Sequence, residues 1–471
     1  MTCITRRIFL SGTAATLACP AVVTAQPVSN IDVAVIGAGA AGIAAARRLA
    51  AGGLKVAVLE AADHIGGRCV TDTRTFGVPY DRGAHWIHMP DSNPVAKLAA
   101  SAGLDVAPAP PGQRLRIGRR NARESEVEDF LSNLVRANRA IIDAGRSGKA
   151  DVACMQALPK ELADWRPTIS FALGPYASAR DLADLSAQDF ARYGDRNENA
   201  FCRQGYGALV AALGRAVPVQ LSTPVSRIIW DGRAGIEIVT GKGVLRARAA
   251  IITISTGVLG SDAIRFAPEL PKRLIDAVAR LKPGSFDHIA LELPGNPLGL
   301  QRDDLVFEKS GDEKTAAMLA NVSGTDLCMI DVGGSFGAGL AGQGEAAMIA
   351  FASDWLASLF GADVKKAIQR SHATRWNDDP LIRGAWSSAA PGGQPSRRIL
   401  MEPLRDRLWF AGEAAHETAW GTVGGAWESG DRAAGEVLAR LRPMRNTAPP
   451  AKKTPQRRPQ SIMRPETRRA R

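Results

Sequence analysis

The segment NIDVAVIGAGAAGIAAARRLAAGGLKVAVLEAADHIGGR, residues 30–68, constrains the fold more than any other part of the chain. A short β-branched run, Ile31 to Ile36, is typical of a buried parallel strand. Glycines in GxGxxG spacing follow it, then an Ala-rich helix that ends near Gly52, and then a second strand from Lys55 to Leu59. This order, with Glu60 directly after the second strand, predicts a strand–helix–strand unit that binds a dinucleotide.

Each residue type in this unit has a chemical reason. Gly37 permits the tight turn, Gly39 lets the backbone approach a pyrophosphate, and Gly42 lets the helix pack closely on the strand. The free N–H groups at the helix start attract phosphate. The carboxylate of Glu60 accepts hydrogen bonds from ribose hydroxyls. The predicted binding residues in this unit are Gly37, Gly39, Ala40, Ala41, Gly42, Glu60 and Ala61.

The net charge of +12 lies mostly at the two ends of the chain. Arg6 and Arg7 contribute +2 within the first 26 residues, and nine basic residues against Glu466 contribute +8 from Pro443 onward, which leaves +2 for the rest. The run PPAKKTPQRRPQ predicts a disordered, self-repelling tail over residues 443–471. The basic charge therefore does not indicate that the folded part of the chain binds nucleic acid, and no nucleic acid is expected as a partner.

The first residues, MTCITRRIFLSG, place an arginine pair ahead of a weakly apolar stretch. Together with the small residues of VVTAQ before Gln26, this pattern predicts a twin-arginine signal peptide over residues 1–25 and a periplasmic location. The stretch is too short and too rich in Ser, Thr and Gly to span a membrane. Because such signals export folded cargo, we expect the twin-arginine machinery as a partner and a cofactor loaded before export. An arginine pair in a disordered start is the alternative.

The cysteines show no pattern typical of a metal site. Two lie in the predicted signal, and the other four are far apart in the sequence, so we expect no metal. A disulfide in an oxidising compartment stays open because the sequence cannot pair them. The four cysteines outside the signal are Cys69, Cys154, Cys202 and Cys328.

Further motifs resemble those of the flavin-containing amine oxidase family, which includes monoamine and polyamine oxidases, histone lysine demethylases and L-amino-acid oxidases. They are the GGR of Gly66 to Arg68, YDRGAHWIH from Tyr80 to His88, STPVSRI, ARAAIITISTGVL, and the closing WFAGEAAHETAWGTVGGAWESGDRAAGEVL. They occur in the order of the family, from about Ile31 to Leu441. The resemblance implies that the bound dinucleotide is FAD.

The resemblance also implies which residues contact FAD. Arg68 sits near the pyrophosphate, the segment from Tyr80 to His88 passes under the flavin ring, and the backbone of Val225 meets the adenine. Glu413 is the acid beside the ribityl chain, and Thr422 begins the helix beside the flavin pyrimidine. The full set implied in this way is Gly67, Arg68, Gly83, Ala84, His85, Trp86, Val225, Trp376, Gly412, Glu413, Thr422 and Val423.

By this resemblance the fold class is α/β (α+β), with a discontinuous Rossmann-like FAD-binding domain built on a mixed sheet and a helical substrate-binding domain. The FAD-binding domain comprises residues 26–90, 205–266 and 376–442. The substrate domain comprises residues 91–204 and 267–375.

The apolar spacing in the two intervening stretches predicts their local structure. Apolar residues three and four apart predict helices over Ser125–Ala144 and Ser178–Tyr193. A further helix is predicted near Ala346–Leu359, and the alternating run HIALELP predicts a strand.

The resemblance implies that a substrate carbon gives a hydride to flavin N5 inside an apolar, aromatic pocket. Trp386, in RGAWSSAAPGG, takes the place of the first aromatic wall of that pocket. Ala385 stands where monoamine oxidases have the cysteine that bonds to FAD, which implies non-covalent FAD. The second wall position is Thr422, and Trp420 is a candidate for supplying an aromatic face there. A tryptophan packed between the domains is the alternative for Trp420.

The chain departs from the family at His288, in LKPGSFDHIALEL. The family normally has a lysine there that holds a water near flavin N5. Either His288 keeps that water while titrating nearer neutrality, or it is a strand histidine with its own partner and the lysine role is lost. Lys282, in the preceding loop, is a poor substitute. The departure puts rapid use of oxygen in question, so oxygen or another acceptor reoxidises the flavin.

His88 matches a histidine that faces the substrate in polyamine oxidases, with a structural role as the alternative. Together these features predict an FAD-dependent oxidoreductase that oxidises a C–N bond of a small-molecule amine or amino acid. Two other readings stay open: a flavoprotein that dehydrogenates C–C bonds, as in the carotenoid desaturase and porphyrinogen oxidase branches, and an FAD-stabilised binding protein without turnover. The oligomeric state and the substrate itself are not predicted.

Overall fold

A computed structural model describes residues 31–110, 112–193, 198–232 and 235–441. The predicted signal peptide, residues 1–25, and the predicted basic tail, residues 443–471, lie outside the described residues.

The described residues form twenty β-strands. They are, in chain order, β1 (Ile31–Ile36), β2 (Val56–Leu59), β3 (Thr71–Asp72), β4 (Tyr80–Asp81), β5 (Ile87–His88), β6 (Val106–Pro108), β7 (Arg114–Ile117), β8 (Arg120–Asn121), β9 (Asn199–Cys202), β10 (Val219–Gln220), β11 (Val225–Ile229), β12 (Ile236–Thr240), β13 (Gly243–Ile252), β14 (Arg265–Ala267), β15 (Phe286–Glu292), β16 (Asp304–Glu308), β17 (Ala317–Ala320), β18 (Leu327–Gly333), β19 (Ser371–Ala373) and β20 (Leu408–Phe410).

The same residues form fourteen α-helices. They are α1 (Ala40–Ala51), α2 (Pro94–Lys97), α3 (Glu124–Arg146), α4 (Cys154–Ala157), α5 (Arg166–Phe171), α6 (Ala187–Arg192), α7 (Tyr206–Gly214), α8 (Thr256–Leu259), α9 (Lys272–Arg280), α10 (Gly334–Ala341), α11 (Glu345–Phe360), α12 (Val364–Ala367), α13 (Ser396–Met401) and α14 (Val423–Leu441).

The first large sheet is mixed and has eight strands, in the order β10-β2-β1-β13-β12-β11-β14, with β20 beside β13. Its centre is parallel: β1 pairs with β2 on one side and with β13 on the other. Burial on both faces explains why β1 is an almost continuous apolar run. The sheet draws its strands from all three segments predicted to form the FAD-binding domain, although the boundaries of those segments stay a prediction.

Helices α1 and α14 pack side by side along this sheet and run in the same direction. Gly430 lies so close to the carbonyl of Ala41 that a Cβ would overlap it, and Gly52, after the end of α1, packs against Leu438 near the end of α14. Because the two helices are parallel, their N-termini point toward the same side of the sheet. Glycine at position 430 is therefore needed for the close approach of the helices.

The second large sheet has seven strands, in the order β19-β15-β18-β17-β16-β7-β8. Helix α11 covers one of its faces through a core that includes Ile289, Ile330 and Trp355. The chain therefore combines two mixed sheets with helices, which confirms the predicted α/β (α+β) class. The predicted substrate portion contains this sheet as well as helices.

Two of the three predicted helices in this portion are confirmed as α3 and α11. The third prediction, over Ser178–Tyr193, is wrong for residues 179–186, which separate α6 from the preceding helical segment that ends at Ser178. Ser186 instead begins α6 as its N-cap, with its Oγ accepting a hydrogen bond from the N–H of Asp189, and its own N–H donates to Ala389. Among the described residues, no helix has the length and apolar character needed to cross a membrane.

Candidate active site

The glycine loop between β1 and α1 is packed as its spacing predicts. Gly37 has φ +104°, and a Cβ there would come within 2.7 Å of the Thr253 hydroxyl. A Cβ at Gly42 would overlap the carbonyl of Gly37, so the helix and the turn approach each other as only glycine allows. These two glycines are therefore explained by close packing within the protein.

Gly39 and Gly412, in contrast, face open space. The nearest described atom to a Cβ on Gly39 would be the Gly66 carbonyl oxygen, at 3.8 Å, and a Cβ on Gly412 would meet none within 4 Å. Gly39 immediately precedes α1, whose first N–H groups have no partner within the helix. Open space in front of such N–H groups fits the pyrophosphate of a dinucleotide, so the residues present suit FAD.

Glu60 lies at the end of β2 and binds the glycine loop. Its carboxylate accepts hydrogen bonds from the N–H of Ala38, at 2.6 Å, and of Ala62, at 2.9 Å. The carbonyl of Glu60 accepts one from the N–H of Thr223, two residues before Val225 in β11. The structure thus brings Glu60, Ala61 and the segment before Val225 together. Their contacts with ribose and adenine stay a prediction.

The GGR motif connects the glycine loop to the segment predicted to pass under the flavin. The N–H of Gly66 donates to the carbonyl of Ala38 at 2.9 Å, and the N–H of Ala84 donates to the carbonyl of Arg68 at 3.0 Å. A Cβ on Gly83 would overlap the Arg68 carbonyl. The predicted site residues Gly67, Arg68, Gly83 and Ala84 therefore form one continuous surface beside α1.

Glu413 is the centre of a cluster that joins three distant segments. Its side chain is 93% buried, with Oε1 3.1 Å from Nη1 of Arg68. The N–H and hydroxyl of Ser387 donate to its two oxygens at 3.0 and 2.9 Å, and the N–H of Gly421 donates to Oε2 at 3.0 Å. A small cleft beside this cluster is lined by residues that include Arg68, Ser255, Gly412 and Glu413. Ser387 was missed in the sequence, where only its position inside a matching motif pointed to it.

The start of α14 lies directly beside this cluster. Thr422 is its N-cap, because its Oγ1 accepts a hydrogen bond from the N–H of Gly425 at 2.9 Å. Val423 is the first residue of the helix. The hydroxyl of Ser429, six residues further along the helix, accepts a hydrogen bond from the N–H of Gly412 at 2.8 Å. The two predicted helix starts, at Gly39 and Thr422, thus both border the region that contains Arg68 and Glu413.

The segment predicted to pass under the flavin is held by two side chains, His288 in β15 and Trp376 shortly after β19. Nε1 of Trp376 donates to the carbonyl of Arg82 at 3.0 Å, and Nε2 of His288 lies 2.7 Å from the carbonyl of Gly83. Trp376 is a predicted cofactor residue, and the structure shows it binding the protein backbone. These two contacts fix the position of the backbone at residues 82–83.

His288 has a protein partner on each ring nitrogen. Nδ1 lies 2.6 Å from Oδ1 of Asp331, which stands directly opposite on β18, and Nε2 binds Gly83. Burial alone would lower the pKa of His288, but the Asp331 carboxylate and the Gly83 carbonyl outweigh it and raise the pKa above its ordinary value. Two acceptors on one ring favour the doubly protonated imidazolium. This geometry favours the second interpretation, a strand histidine with its own partners, over the one in which His288 holds a water.

Trp386, Phe286 and Tyr176 form a line of aromatic side chains beside the second sheet. The ring centroid of Trp386 lies 5.0 Å from that of Phe286, and Phe286 lies 6.1 Å from Tyr176. All three rings are half-buried. A Cβ on Gly421 would come within 2.6 Å of Trp386, which places this aromatic line beside the start of α14. Phe286 and Tyr176 were missed in the sequence. The signal for Phe286 was its position two residues before His288, because residues two apart in a strand lie on the same face of a sheet.

Trp420 is buried completely and is covered by protein groups. The guanidinium carbon of Arg397 lies 4.5 Å from the centre of its ring, and Tyr193 lies 4.4 Å away, centroid to centroid. This environment favours the packed tryptophan over a wall of the substrate pocket.

The two histidines of GAHWIH have different surroundings. His85 is buried, its Nδ1 lies 2.8 Å from Asp81, and its ring stacks on Phe201 at 4.6 Å. His88 is half-buried, with Nδ1 2.7 Å from Oδ1 of Asn199. Trp86 lies between the two histidines in the sequence, and its ring centroid lies 4.8 Å from that of Phe201. The predicted roles of His85 and Trp86 toward FAD and of His88 toward the substrate stay predictions.

The cysteines that the structure describes are four buried free thiols. Among the described residues, no group of three or more His, Cys, Asp or Glu side chains is placed to hold a metal ion.

Comparison with known proteins gives a match to the family described as "Flavin containing amine oxidoreductase", over residues 40–438. Curated relatives include human "Lysine-specific histone demethylase 2", 26% identical over 87% of this chain and 54% of the relative, and rice "Lysine-specific histone demethylase 1 homolog 3", 29% identical over 88% and 54%. The chain therefore spans about half the length of these relatives.

Solved structures with the same fold include the cyclohexylamine oxidase from Brevibacterium oxydans, with a TM-score of 0.74 and 23% identity over 88% of this chain and 100% of the other. Another is wild-type putrescine oxidase bound to putrescine, with a TM-score of 0.75 and 20% identity over 88% and 100%. At these identities the likeness establishes the fold.

Proposed function

The chain belongs to the flavin-containing amine oxidoreductase family, and from this premise we propose that it is an enzyme that oxidises a C–N bond of an amine or amino acid. Its cofactor is FAD. The observation that most supports the proposal is the arrangement around Glu413, where Arg68 and two helix starts border open space at Gly39 and Gly412. A dinucleotide requires such a combination of free N–H groups, glycine-lined space and fixed charge.

When bound, FAD supplies an acceptor for a hydride from the substrate carbon that carries the nitrogen. The residues of this chain prepare the substrate for that transfer. Trp386, Phe286 and Tyr176 present half-buried aromatic faces that exclude water and favour a neutral amine, since burial disfavours the ammonium form. Only the neutral nitrogen has the lone pair that assists loss of the hydride. The imine product then hydrolyses to a carbonyl compound and ammonia or an amine.

We also propose that FAD is held without a covalent bond. Ala385 occupies the position of the cysteine that forms the covalent bond in monoamine oxidases, and its carbonyl accepts a hydrogen bond from Arg68. The four cysteines in the described part of the chain are buried thiols. Release of free FAD on denaturation supports this proposal, and flavin that stays with the precipitated protein contradicts it.

The acceptor that we propose for reoxidation is one other than oxygen. His288 replaces the lysine that holds a water in the family, and both of its ring nitrogens bind protein groups. The test is to reduce the enzyme anaerobically with substrate and then mix it with either oxygen or a redox dye. Faster reoxidation by the dye supports the proposal, whereas equally fast reoxidation by oxygen contradicts it.

The reaction class is tested by anaerobic mixing of the purified protein with a panel of amines and amino acids. Bleaching of the flavin absorbance by one or more of them supports C–N oxidation. Bleaching only by polyenes or porphyrinogens assigns the protein to C–C dehydrogenation instead. If no compound bleaches the flavin, the proposal of an amine-oxidising enzyme fails.

For location, we propose export to the periplasm through the twin-arginine pathway, on the basis of Arg6 and Arg7 and the stretch that follows them. Replacement of both arginines by lysine is expected to leave the protein in the cytoplasm with FAD bound. An unchanged periplasmic yield contradicts this proposal.

A further inference from the structure

Arg397 and Asp189 form an ion pair with no exposed surface on either side chain. Nε and Nη2 of Arg397 bind Oδ1 and Oδ2 of Asp189, each at 2.7 Å. Asp189 belongs to α6 in the predicted substrate portion, and Arg397 belongs to α13 in the predicted FAD portion. Burying two charges is costly even when they are paired, so such a pair is weak evidence for stability and calls for another reason.

The remaining N–H groups of Arg397 point toward the Glu413 cluster. Nη1 lies 3.4 Å from the Ser387 hydroxyl oxygen and 3.2 Å from the carbonyl of Ala414. A guanidinium has donors only, so the Ser387 oxygen accepts from it and must direct its own hydrogen elsewhere. That hydrogen points to Oε2 of Glu413, 2.9 Å away. Arg397 therefore sets the direction of a hydrogen bond that Glu413 receives.

Arg397 reaches Glu413 by a second route, through Trp420. Its guanidinium lies over the Trp420 ring at 4.5 Å, a distance at which the ring attracts the charge. The next residue, Gly421, donates its N–H to Oε2 of Glu413 at 3.0 Å. Two of the donors on the same carboxylate oxygen thus depend on groups that Arg397 holds.

We propose that Arg397, with Asp189 as its counter-ion, is a positioning residue for the cofactor site, which acts on Glu413 through the hydroxyl of Ser387 and the ring of Trp420. The inference rests on the proposed role of Glu413 in binding FAD. It also gives the buried ion pair a function, because the pair connects helix α6 to the cofactor site through charge-assisted hydrogen bonds. The guanidinium of the same pair holds the ring of Trp420.

The test is a comparison of FAD affinities, measured by titrating apoprotein with FAD and following flavin fluorescence, alongside the melting temperature of each variant. Ser387→Ala removes the hydroxyl alone. The double variant Asp189→Asn/Arg397→Met removes both buried charges and keeps an acceptor for the N–H of Ala389, which binds Asp189 at 2.9 Å. The triple variant combines all three changes.

We expect Ser387→Ala and the double variant each to raise the Kd of FAD about five- to tenfold, and the triple variant to raise it no further than the double variant. A merely structural role would lower the melting temperature without this shared loss of affinity. The inference is overturned if Ser387→Ala leaves the Kd unchanged, or if the two effects multiply in the triple variant.

Three further variants keep the result interpretable. The pair Arg273 and Glu402 also has two hydrogen bonds, at 2.7 and 2.9 Å, but is exposed, and its double alanine variant is expected to bind FAD as the wild type does. Glu413→Gln separates the two proposals. If this variant leaves the Kd of FAD unchanged, both the role of Glu413 and the inference are overturned. If it raises the Kd while Ser387→Ala leaves the Kd unchanged, only the inference is overturned. Should the double variant not fold, Arg397→Lys, combined with Ser387→Ala, provides the same comparison.

Discussion

Arg68 and Glu413 lie 345 positions apart in the chain, and their side chains meet at 3.1 Å beside the starts of the two parallel helices α1 and α14. The GGR loop reaches this point from the N-terminal strand–helix–strand unit, and Glu413 reaches it from the closing motif. The contact therefore brings the two ends of the described chain together where we place the cofactor.

Substituting Gly39 with valine should reduce FAD binding without unfolding the protein. A side chain at Gly39 would enter open space, with its nearest described neighbour 3.8 Å away, so the packing of the protein is not disturbed. The same space is where we place the pyrophosphate. We expect the flavin content of purified Gly39→Val to fall about tenfold or more, at an affinity cost of at least ~1.4 kcal/mol.

The control for this variant is Gly339→Ala, because a Cβ at Gly339 meets no described atom within 4 Å and Gly339 lies in α10, outside the glycine loop. It should keep its full flavin content. A Gly39→Val protein with full flavin content would refute the placement of the pyrophosphate.

Truncating Phe286 to alanine should weaken substrate binding and leave FAD in place. The ring bridges Trp386 and Tyr176, so its loss opens the middle of the aromatic line. An aromatic contact contributes about 0.5–1.5 kcal/mol beyond its buried area. We therefore expect KM to rise about fivefold to tenfold in steady-state assays, with unchanged flavin absorbance per chain. An unchanged KM would show that this line does not border the substrate.

The pair of His288 and Asp331 should stabilise the protein most at low pH. Because the pKa of His288 is raised above its ordinary 6.5 in the folded protein, its contribution is fully present below that value and is lost as pH rises through the folded pKa. Measured by chemical denaturation, the difference in unfolding free energy between wild type and His288→Asn should shrink as the pH increases above 6.5. A difference that stays constant or grows would contradict the charged pair.

Asp287, next to His288, titrates in a separate range. Burial raises its pKa from 3.8 to about 6, while the N–H of Trp376 and the hydroxyl of Thr374 oppose the rise. Because the folded state holds this proton more tightly, Asp287 makes stability fall between about pH 4 and pH 6. Asp287→Asn should flatten that lower range of the stability profile. It should also lower the pH at which the contribution of His288 is lost, because the Asp287 charge helps to raise the pKa of His288.

The local features of the fold were predictable from the sequence because they depend on neighbouring residues. The spacing of Gly37 and Gly42 alone indicates that both lie in a closely packed turn. The strand and helix around them follow from a continuous apolar run and an Ala-rich stretch. Glu413 and Trp386 were located by the motifs that surround them. The segment before Ser186 was assigned to a helix wrongly, since its pairing with Ala389 comes from a part of the chain two hundred residues away.

The partners of side chains were not predictable in this way. Nothing near His288 in the sequence indicates that Asp331 stands opposite it on the next strand and that Gly83 caps its other nitrogen. Likewise, Asp189 and Arg397 are separated by 208 positions and meet where both bind the segment of residues 387–389. Such contacts depend on the three-dimensional arrangement of the sheets and helices, and they decide which of two roles a residue has.

We place one FAD between Arg68, Glu413 and the two helix starts, and the flavin content of the purified wild-type protein tests this placement. We expect yellow protein with one FAD per chain, which is released on denaturation and taken up again by the apoprotein. A colourless protein whose apoprotein takes up no added FAD would refute this placement.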